Sequence, residues 1–374
     1  MAEHWEQKPL AVPRHDPGRF DDLLSERDVE RLVTSGGLRH PAFRLVKAGA
    51  QLDVGEYTVD VPWRPVPFSG SANVDRVVAE FDAGATIVLQ GLHLHWLPLA
   101  RFCRGLEQAL GHPVQANAYY TPRHSQGLGV HHDTHDVLVL QVAGEKRWLV
   151  YEPVLALPLR DQRYRPAMGP PGETVEDLVL RPGDTLYLPR GWLHEALTSQ
   201  SDSLHLTIGV NVHTWLEAVR AAVDECAGEL AFRRSVSEEG ETDDDLLSLL
   251  AERLEPARVA ERMRERFVRT RRPIRDGLLS HLRALDSLDA GTELLRRETV
   301  IAELLEDGDA VRLVYEGKEL RFPPFVRDDL EFLLEAEEPV RPAELPGALD
   351  EESRLVLVRR LVREGFLLIA AVEA

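Results

Sequence analysis

The sequence predicts an α+β protein, with a β-barrel or β-sandwich that helices both precede and follow. Two observations predict it. Between residues 112 and 213, short apolar runs alternate with turn signals at Pro170-Pro171-Gly172, Pro182-Gly183-Asp184 and Pro189-Arg190-Gly191, the punctuation of a closed or two-layered sheet. On both sides of that region, apolar residues recur at helical spacing instead. A length of 374 residues allows two or three domains, and 44% hydrophobic with 29% charged residues is an ordinary globular balance.

The first segment opens with His4-Trp5-Glu6-Gln7-Lys8-Pro9-Leu10. A helix is expected from Phe20 to Ser35, ended by Gly36-Gly37. Phe43 to Val46 reads as a strand. Asn73 to Phe81 reads as a helix with Asn73 as its cap, Gly84 to Leu89 as a strand, and Leu97 to Leu110 as a helix stopped by Gly111. Strands are then expected at Val114 to Tyr120, Val137 to Val142, Arg147 to Tyr151, Val179 to Leu180, Thr185 to Leu188 and Leu204 to Val212.

From residue 214 to about 295 the pattern is helical. One apolar stripe runs from Trp215 to Cys226, a second from Leu246 to Phe267, and a third from Ile274 to Leu285. The acidic stretch Ser237 to Asp245 reads as a loop or helix start. Apolar stripes of this breadth need a partner, so a homodimer through residues 214–295 is expected. The last segment, 296–374, has strand-like runs at Val311 to Tyr315 and Glu319 to Phe322. Helices follow at Val326 to Ala336 and Glu351 to Arg363, a short element lies at Pro342 to Leu345, and the last strand is Phe366 to Val372. That order suggests a small winged-helix domain.

Composition excludes several functions. The net charge of -19 opposes broad nucleic-acid binding and suits a basic partner. Nine arginines lie between Arg253 and Arg275, but the interleaved glutamates predict a salt-bridged solvated face. The helix Glu351 to Arg363 mixes both signs, so direct nucleic-acid binding is not expected. Two cysteines, Cys103 and Cys226, are too few for a disulfide framework. Neither a membrane span nor a secretory leader is expected, which predicts a cytoplasmic protein.

The chemistry concentrates between Asn117 and Tyr151. His131 and Asp133 are two residues apart and share a face if the chain is extended. Two His and one carboxylate on one face form the facial triad that suits non-haem iron(II), with positions left open for a cosubstrate and oxygen. His194, after the corner Pro189-Arg190-Gly191-Trp192, is the best third ligand. His205 and His213 are weaker candidates, and His93 and His95 read as packing or pocket-rim residues. A 2-oxoglutarate cosubstrate needs a fixed cation for its distal carboxylate. Lys146 opens the next strand in an apolar setting and can supply it, while Asn117 and Tyr119 offer polar groups from the strand before. His131, Asp133 and Lys146 should therefore face inward, and His132 and Arg147 outward.

The runs NAYYTPRHSQGLGVHHDTHDVLVLQVAGEKRW, GDTLYLPRGWLHEA and SLHLTIGV, with HWEQKPLAV near the start, resemble the ribosomal oxygenase branch of JmjC-domain, cupin-fold proteins. The resemblance extends over nearly the whole chain. It implies a double-stranded β-helix (jelly-roll) catalytic domain over residues 1–213, a helical dimerisation region over 214–295, and a winged-helix-like domain over 296–374. It further implies Fe(II) at His131, Asp133 and His194, and 2-oxoglutarate held by Lys146 with Asn117 as a polar partner. The expected activity is hydroxylation of a histidine or arginine side chain of a ribosomal protein. A JmjC-type demethylase of N-methyl-lysine, or a non-catalytic adaptor for ribosome or nucleic acid, is the alternative. One departure is His132, where a larger apolar or aromatic residue is expected between the ligands. Arg123 and His124 are further candidate target contacts.

Overall fold

The computed structural model describes residues 3–35, 37–198, 200–236 and 245–372. Most of the expected segment Ser237 to Asp245, and Gly36 at the first helix stop, lie outside them. The chain divides into two compact units, Met1–Val212 and His213–Ala374.

In the first unit the strands are β1 (Leu10–Val12), β2 (Phe43–Lys47), β3 (Ala50–Gln51), β4 (Thr58–Val61), β5 (Phe68–Ala72), β6 (Thr86–Leu89), β7 (Val114–Thr121), β8 (Asp136–Ala143), β9 (Lys146–Tyr151), β10 (Thr174–Leu180), β11 (Thr185–Leu188), β12 (Leu193–Leu197) and β13 (Ser203–Val210). Its helices are α1 (Glu26–Thr34), α2 (Val54–Tyr57), α3 (Val74–Asp82) and α4 (Leu97–Leu110). Among the described residues, one antiparallel sheet runs β1-β11-β8-β13-β7-β6-β2-β3 and a second runs β10-β9-β12. This is the expected jelly-roll arrangement.

Alternation along the strands builds two cores. On β13, Leu204, Leu206 and Ile208 face the N-terminal helices and pack with Leu24, Val29, Val77, Leu99 and Cys103. His205 and Thr207 face the other way, into a pocket between the sheets. Val137, Val139, Leu186 and Leu188 of the large sheet meet Trp148, Val150 and Leu180 of the small one in the second core. The expected helix from Phe20 instead begins at Glu26. Ser25 caps it, accepting from Asp28 N while the Asp28 carboxylate accepts from Ser25 N, and this reciprocal box fixes the start. Asn73 and Gly111 bound α3 and α4 as expected.

The second unit holds α5 (Trp215–Glu225), α6 (Leu230–Arg233), α7 (Leu246–Arg253), α8 (Pro256–Arg269), α9 (Leu278–Arg283), α10 (Arg327–Glu335) and α11 (Glu351–Arg363). Its strands are β14 (Leu294–Arg296), β15 (Ala302–Asp307), β16 (Ala310–Tyr315), β17 (Lys318–Phe322) and β18 (Leu367–Ile369). β15-β16-β17 form one sheet and β14-β18 another. The second apolar series is two helices, because Pro256 starts a new one at its first turn.

Candidate metal centre and adjoining pocket

Two backbone segments bring the candidate ligands together. His131 and His194 form an isolated antiparallel bridge, with His194 N donating to His131 O at 2.8 Å and His131 N to His194 O at 3.1 Å. Gly191 N donates to Asp133 O at 3.0 Å. His131 and Asp133 thus precede β8, which begins only at Asp136, but the bridge keeps them extended and on one side. His194 lies on β12, a later strand as expected of the third ligand, though its bounds were not among the expected strands.

The ligand-capable atoms of His131, Asp133 and His194 lie within 4.8 Å of one another. The two imidazole rings are 4.4 Å apart between centroids. His131 Nδ1 lies 2.8 Å from Gly129 O and His194 Nδ1 lies 3.0 Å from Trp192 O. A carbonyl only accepts, so each Nδ1 carries the proton and each Nε2 is left with its lone pair. His194 Nε2 stands 3.7 Å from Asp133 Oδ2. Burial, then His131, pushes the His194 ring down to about 4, against the opposing pull of Asp133. Burial alone would raise Asp133; the surrounding imidazoles, His135 foremost, outweigh it and hold the carboxyl below its ordinary value. Two imidazoles and one carboxylate therefore converge, a donor set that fits a divalent transition metal.

The same pocket is lined by Asn117, Tyr119, Lys146, Trp148, His205 and Thr207. Lys146 is buried, and Nζ donates to Thr121 Oγ1 at 2.9 Å. Thr86 Oγ1 in turn donates to Thr121 Oγ1 at 3.1 Å. Burial pushes the ammonium down to about 7. The register puts His194 opposite Val150, four residues along β9 from Lys146. That is a run of roughly 13 Å at about 3.3 Å per residue. Asn117 Oδ1 accepts from Gly91 N at 2.9 Å, and Tyr119 stacks on His205 at 5.0 Å.

The expected sidedness is what the structure has. His132 turns away from the pocket and its Nε2 donates to Gln162 O at 2.9 Å, while exposed Arg147 pairs with Asp177 at 2.6 Å. His205 lines the pocket without joining the three-residue cluster. His213 lies in the second unit, and His93 Nδ1 accepts from Ala116 N at 3.1 Å. Thr86, Thr121 and Thr207 were missed. Thr121 sits two and four residues beyond Tyr119 and Asn117 on one strand, so alternation alone could have placed it on the same face.

Residues 92–218 match the family model of the JmjC domain. Among curated proteins, the chain is 32% identical over 209 residues to the bifunctional lysine-specific demethylase and histidyl-hydroxylase NO66 of Drosophila persimilis, covering 56% of this chain and 29% of that protein. It is 33% identical over 211 residues to ribosomal oxygenase 1 of Gallus gallus, covering 55% of this chain and 33% of the relative. For ribosomal oxygenase 2 of Mus musculus the figures are 33% over 214 residues, with 56% and 43% covered. The chain thus spans less than half the length of these relatives. Among solved structures, YcfD, a ribosomal oxygenase from Escherichia coli in complex with cobalt and 2-oxoglutarate, aligns over 98% of this chain and 96% of its own. Its TM-score is 0.55 at 18% identity, a likeness of fold. Residues 92–218 thus match a JmjC domain, and over about half its length the chain is similar to ribosomal oxygenases.

Proposed function

We propose that the chain is an Fe(II)- and 2-oxoglutarate-dependent oxygenase that hydroxylates a histidine or arginine side chain of a ribosomal protein. One observation carries the reading: His131, Asp133 and His194 converge in the same pocket as a buried lysine that pairs with a hydroxyl rather than an acid. His131, Asp133 and His194 would hold the iron. Lys146, with Tyr119 and Asn117, would hold the cosubstrate. When bound, iron and 2-oxoglutarate supply dioxygen activation coupled to oxidative decarboxylation to succinate and CO2.

The protein's own part is placement. The Gly129 and Trp192 carbonyls fix the two rings with Nε2 toward the metal position. The stacked Tyr119 and His205 rings and the edge of Trp148 make rigid walls that exclude water. Lys146 waits on Thr121, so its amino group is already inside the pocket when an anionic ligand enters.

The test is turnover of 2-oxoglutarate to succinate with added Fe(II), in the presence of ribosomal proteins, followed by mass spectrometry. The expected result is succinate formation and a gain of one oxygen on one ribosomal protein. His131→Ala should abolish both. Lys146→Ala should raise the 2-oxoglutarate requirement roughly ten- to a hundredfold, the equivalent of about 1.5–3 kcal/mol for a hydrogen bond to a charged group. Iron-loaded protein that forms no succinate would sink the enzyme reading. Formaldehyde release from an N-methylated peptide would favour lysine demethylation, a reading supported by the bifunctional names of the fly relatives. We further infer a cytoplasmic homodimer through residues 214–295 and a winged-helix-like domain over 296–374.

A further inference from the structure

A buried charge network lies directly behind the candidate ligands. Arg190 belongs to the Pro189-Arg190-Gly191 corner, four residues before His194. Its side chain is buried, and Nη1 donates to two carboxylates, Asp136 Oδ2 at 2.9 Å and Glu6 Oε1. Asp136 is fully buried and lies three residues after Asp133. Its Oδ1 accepts from the Tyr187 hydroxyl at 2.7 Å, and that hydroxyl accepts from Glu6 N at 2.9 Å. Trp5 stacks on the Tyr187 ring at 5.7 Å between centroids, with 9° between planes. Further along, Leu10 of β1 pairs with Tyr187 of β11, and Arg14 N donates to Asp184 Oδ1 at 2.9 Å. The N-terminal segment is thus fastened along the strand that leads into the His194 corner.

Stability alone does not account for this arrangement. Desolvating a guanidinium and a carboxylate is costly, and apolar replacements of such pairs are often neutral or better. Position does account for it. Asp136 is tied to the segment carrying His131 and Asp133, and Arg190 to the segment carrying His194. Their ion pair is a second tie between the two ligand segments, beside the backbone bridge. Glu6 and Trp5 close over it from outside. The guanidinium fork has one plane and several donors, so it fixes an orientation as well as a distance.

We propose that Trp5, Glu6, Arg190 and Asp136 form a clasp that sets the spacing of the metal ligands, with Glu6 and Arg190 as positioning residues. The proposal rests on reading His131, Asp133 and His194 as a metal site. The N-terminal segment is then part of the metal centre although none of its side chains reaches the cluster.

The test uses full-length protein and cobalt(II) alone. Glu6→Ala, Glu6→Gln and Arg190→Lys are titrated with cobalt by calorimetry and by visible absorption, and thermal unfolding of each metal-free variant is recorded. Lys8→Ala, at an exposed position of the same segment, is the control. Glu6→Ala and Arg190→Lys should weaken cobalt binding roughly tenfold or more, the scale on which outer partners of metal ligands act. Both should alter the cobalt spectrum, Glu6→Gln should recover part of the loss, and Lys8→Ala should match the wild type. Wild-type affinity and spectrum in folded Glu6→Ala would overturn the clasp. So would a lowered Tm with unchanged cobalt binding, which marks a purely structural contact. If Arg190→Lys does not fold, Glu6→Ala decides, because Glu6 lies at the outer end of the network with its side chain 34% exposed. Wild-type protein that binds no cobalt would overturn the metal-site reading together with the clasp; binding that is unchanged in the variants overturns the clasp alone.

Discussion

Lys146 sits in an environment far from its ordinary chemistry. Its nearest hydrogen-bond partner is a threonine hydroxyl, and burial alone pushes it down from 10.5 to about 7. Above pH 7 the ligand-free pocket therefore holds a neutral amine, and an entering dianion restores the ammonium. Binding of 2-oxoglutarate should take up a proton at pH 8 and almost none at pH 6. Calorimetry in two buffers of different ionisation enthalpy measures this, and equal enthalpies at pH 8 would refute it. The stability of the ligand-free protein has a matching sign. From about pH 7 to 10.5 the unfolded chain keeps a proton that the folded chain has released, so this group makes stability rise with pH across that window. At this scale the sequence was largely legible. His131 and Asp133 at a spacing of two, and Lys146 opening an apolar strand, needed only strand geometry. The hydroxyls of Thr86, Thr121 and Thr207 were not read, because threonine has no charge to draw notice and its role depends on which neighbours share its face.

Elements were legible where local preference and tertiary context agree, and illegible where they conflict. α4 and its Gly111 stop follow from periodicity. β12 does not: Leu193-His194-Glu195-Ala196-Leu197 favours a helix locally, and pairing with β9 overrides that preference. β15 is a second case, since Ala302-Glu303-Leu304-Leu305-Glu306 also favours a helix and is held extended by β16. The tight turn between β8 and β9, where the chain passes from the large sheet to the small one, shows how an element positions chemistry. Gly144 has a φ of +62°, and a Cβ there would meet Asp202 O at 1.8 Å. No side chain fits without moving the loop before β13. Gly144→Ala should cost at least the roughly 1–3 kcal/mol of left-handed strain at a non-glycine residue. The fall in urea midpoint measures that cost, and because Lys146 starts two residues later, 2-oxoglutarate affinity should fall as well. Unchanged stability would show that the turn relaxes freely.

At the scale of the whole molecule, charge and exposed apolar surface point to different partners. Of the nine arginines between Arg253 and Arg275, at least six meet a glutamate among the described residues: Arg253 with Glu229, Arg258 with Glu252, Arg262 with Glu225, Arg264 with Glu303, Arg269 with Glu265 and Glu319, and Arg275 with Glu316. On α11, Arg354 and Arg359 are bound to backbone carbonyls, and Arg360 lies 4.7 Å from the Phe322 ring. Arginines used internally are poorly placed to grip a phosphate backbone, in keeping with the net charge of -19. The apolar surface is different. On α5, Ala218 and Ala222 are buried, while Trp215, Val219 and Val223 recur at every fourth residue on an exposed face, Trp215 at 70%. Leu216 beside them and Leu230 on α6 are exposed too. Burying each of the larger side chains is worth about 1.5–3 kcal/mol before the cost of association, which supports the proposed homodimer. Light scattering coupled to gel filtration should give twice 42.1 kDa for the wild type. Trp215→Glu combined with Val223→Glu should return the single-chain mass, because each would place an unpaired carboxylate in an apolar contact. Val356→Glu, at an exposed position of α11 away from this face in the sequence, should leave the mass at the dimer value. A wild type that runs as a single chain at micromolar concentration, or a double variant that stays paired, would remove α5 from the interface.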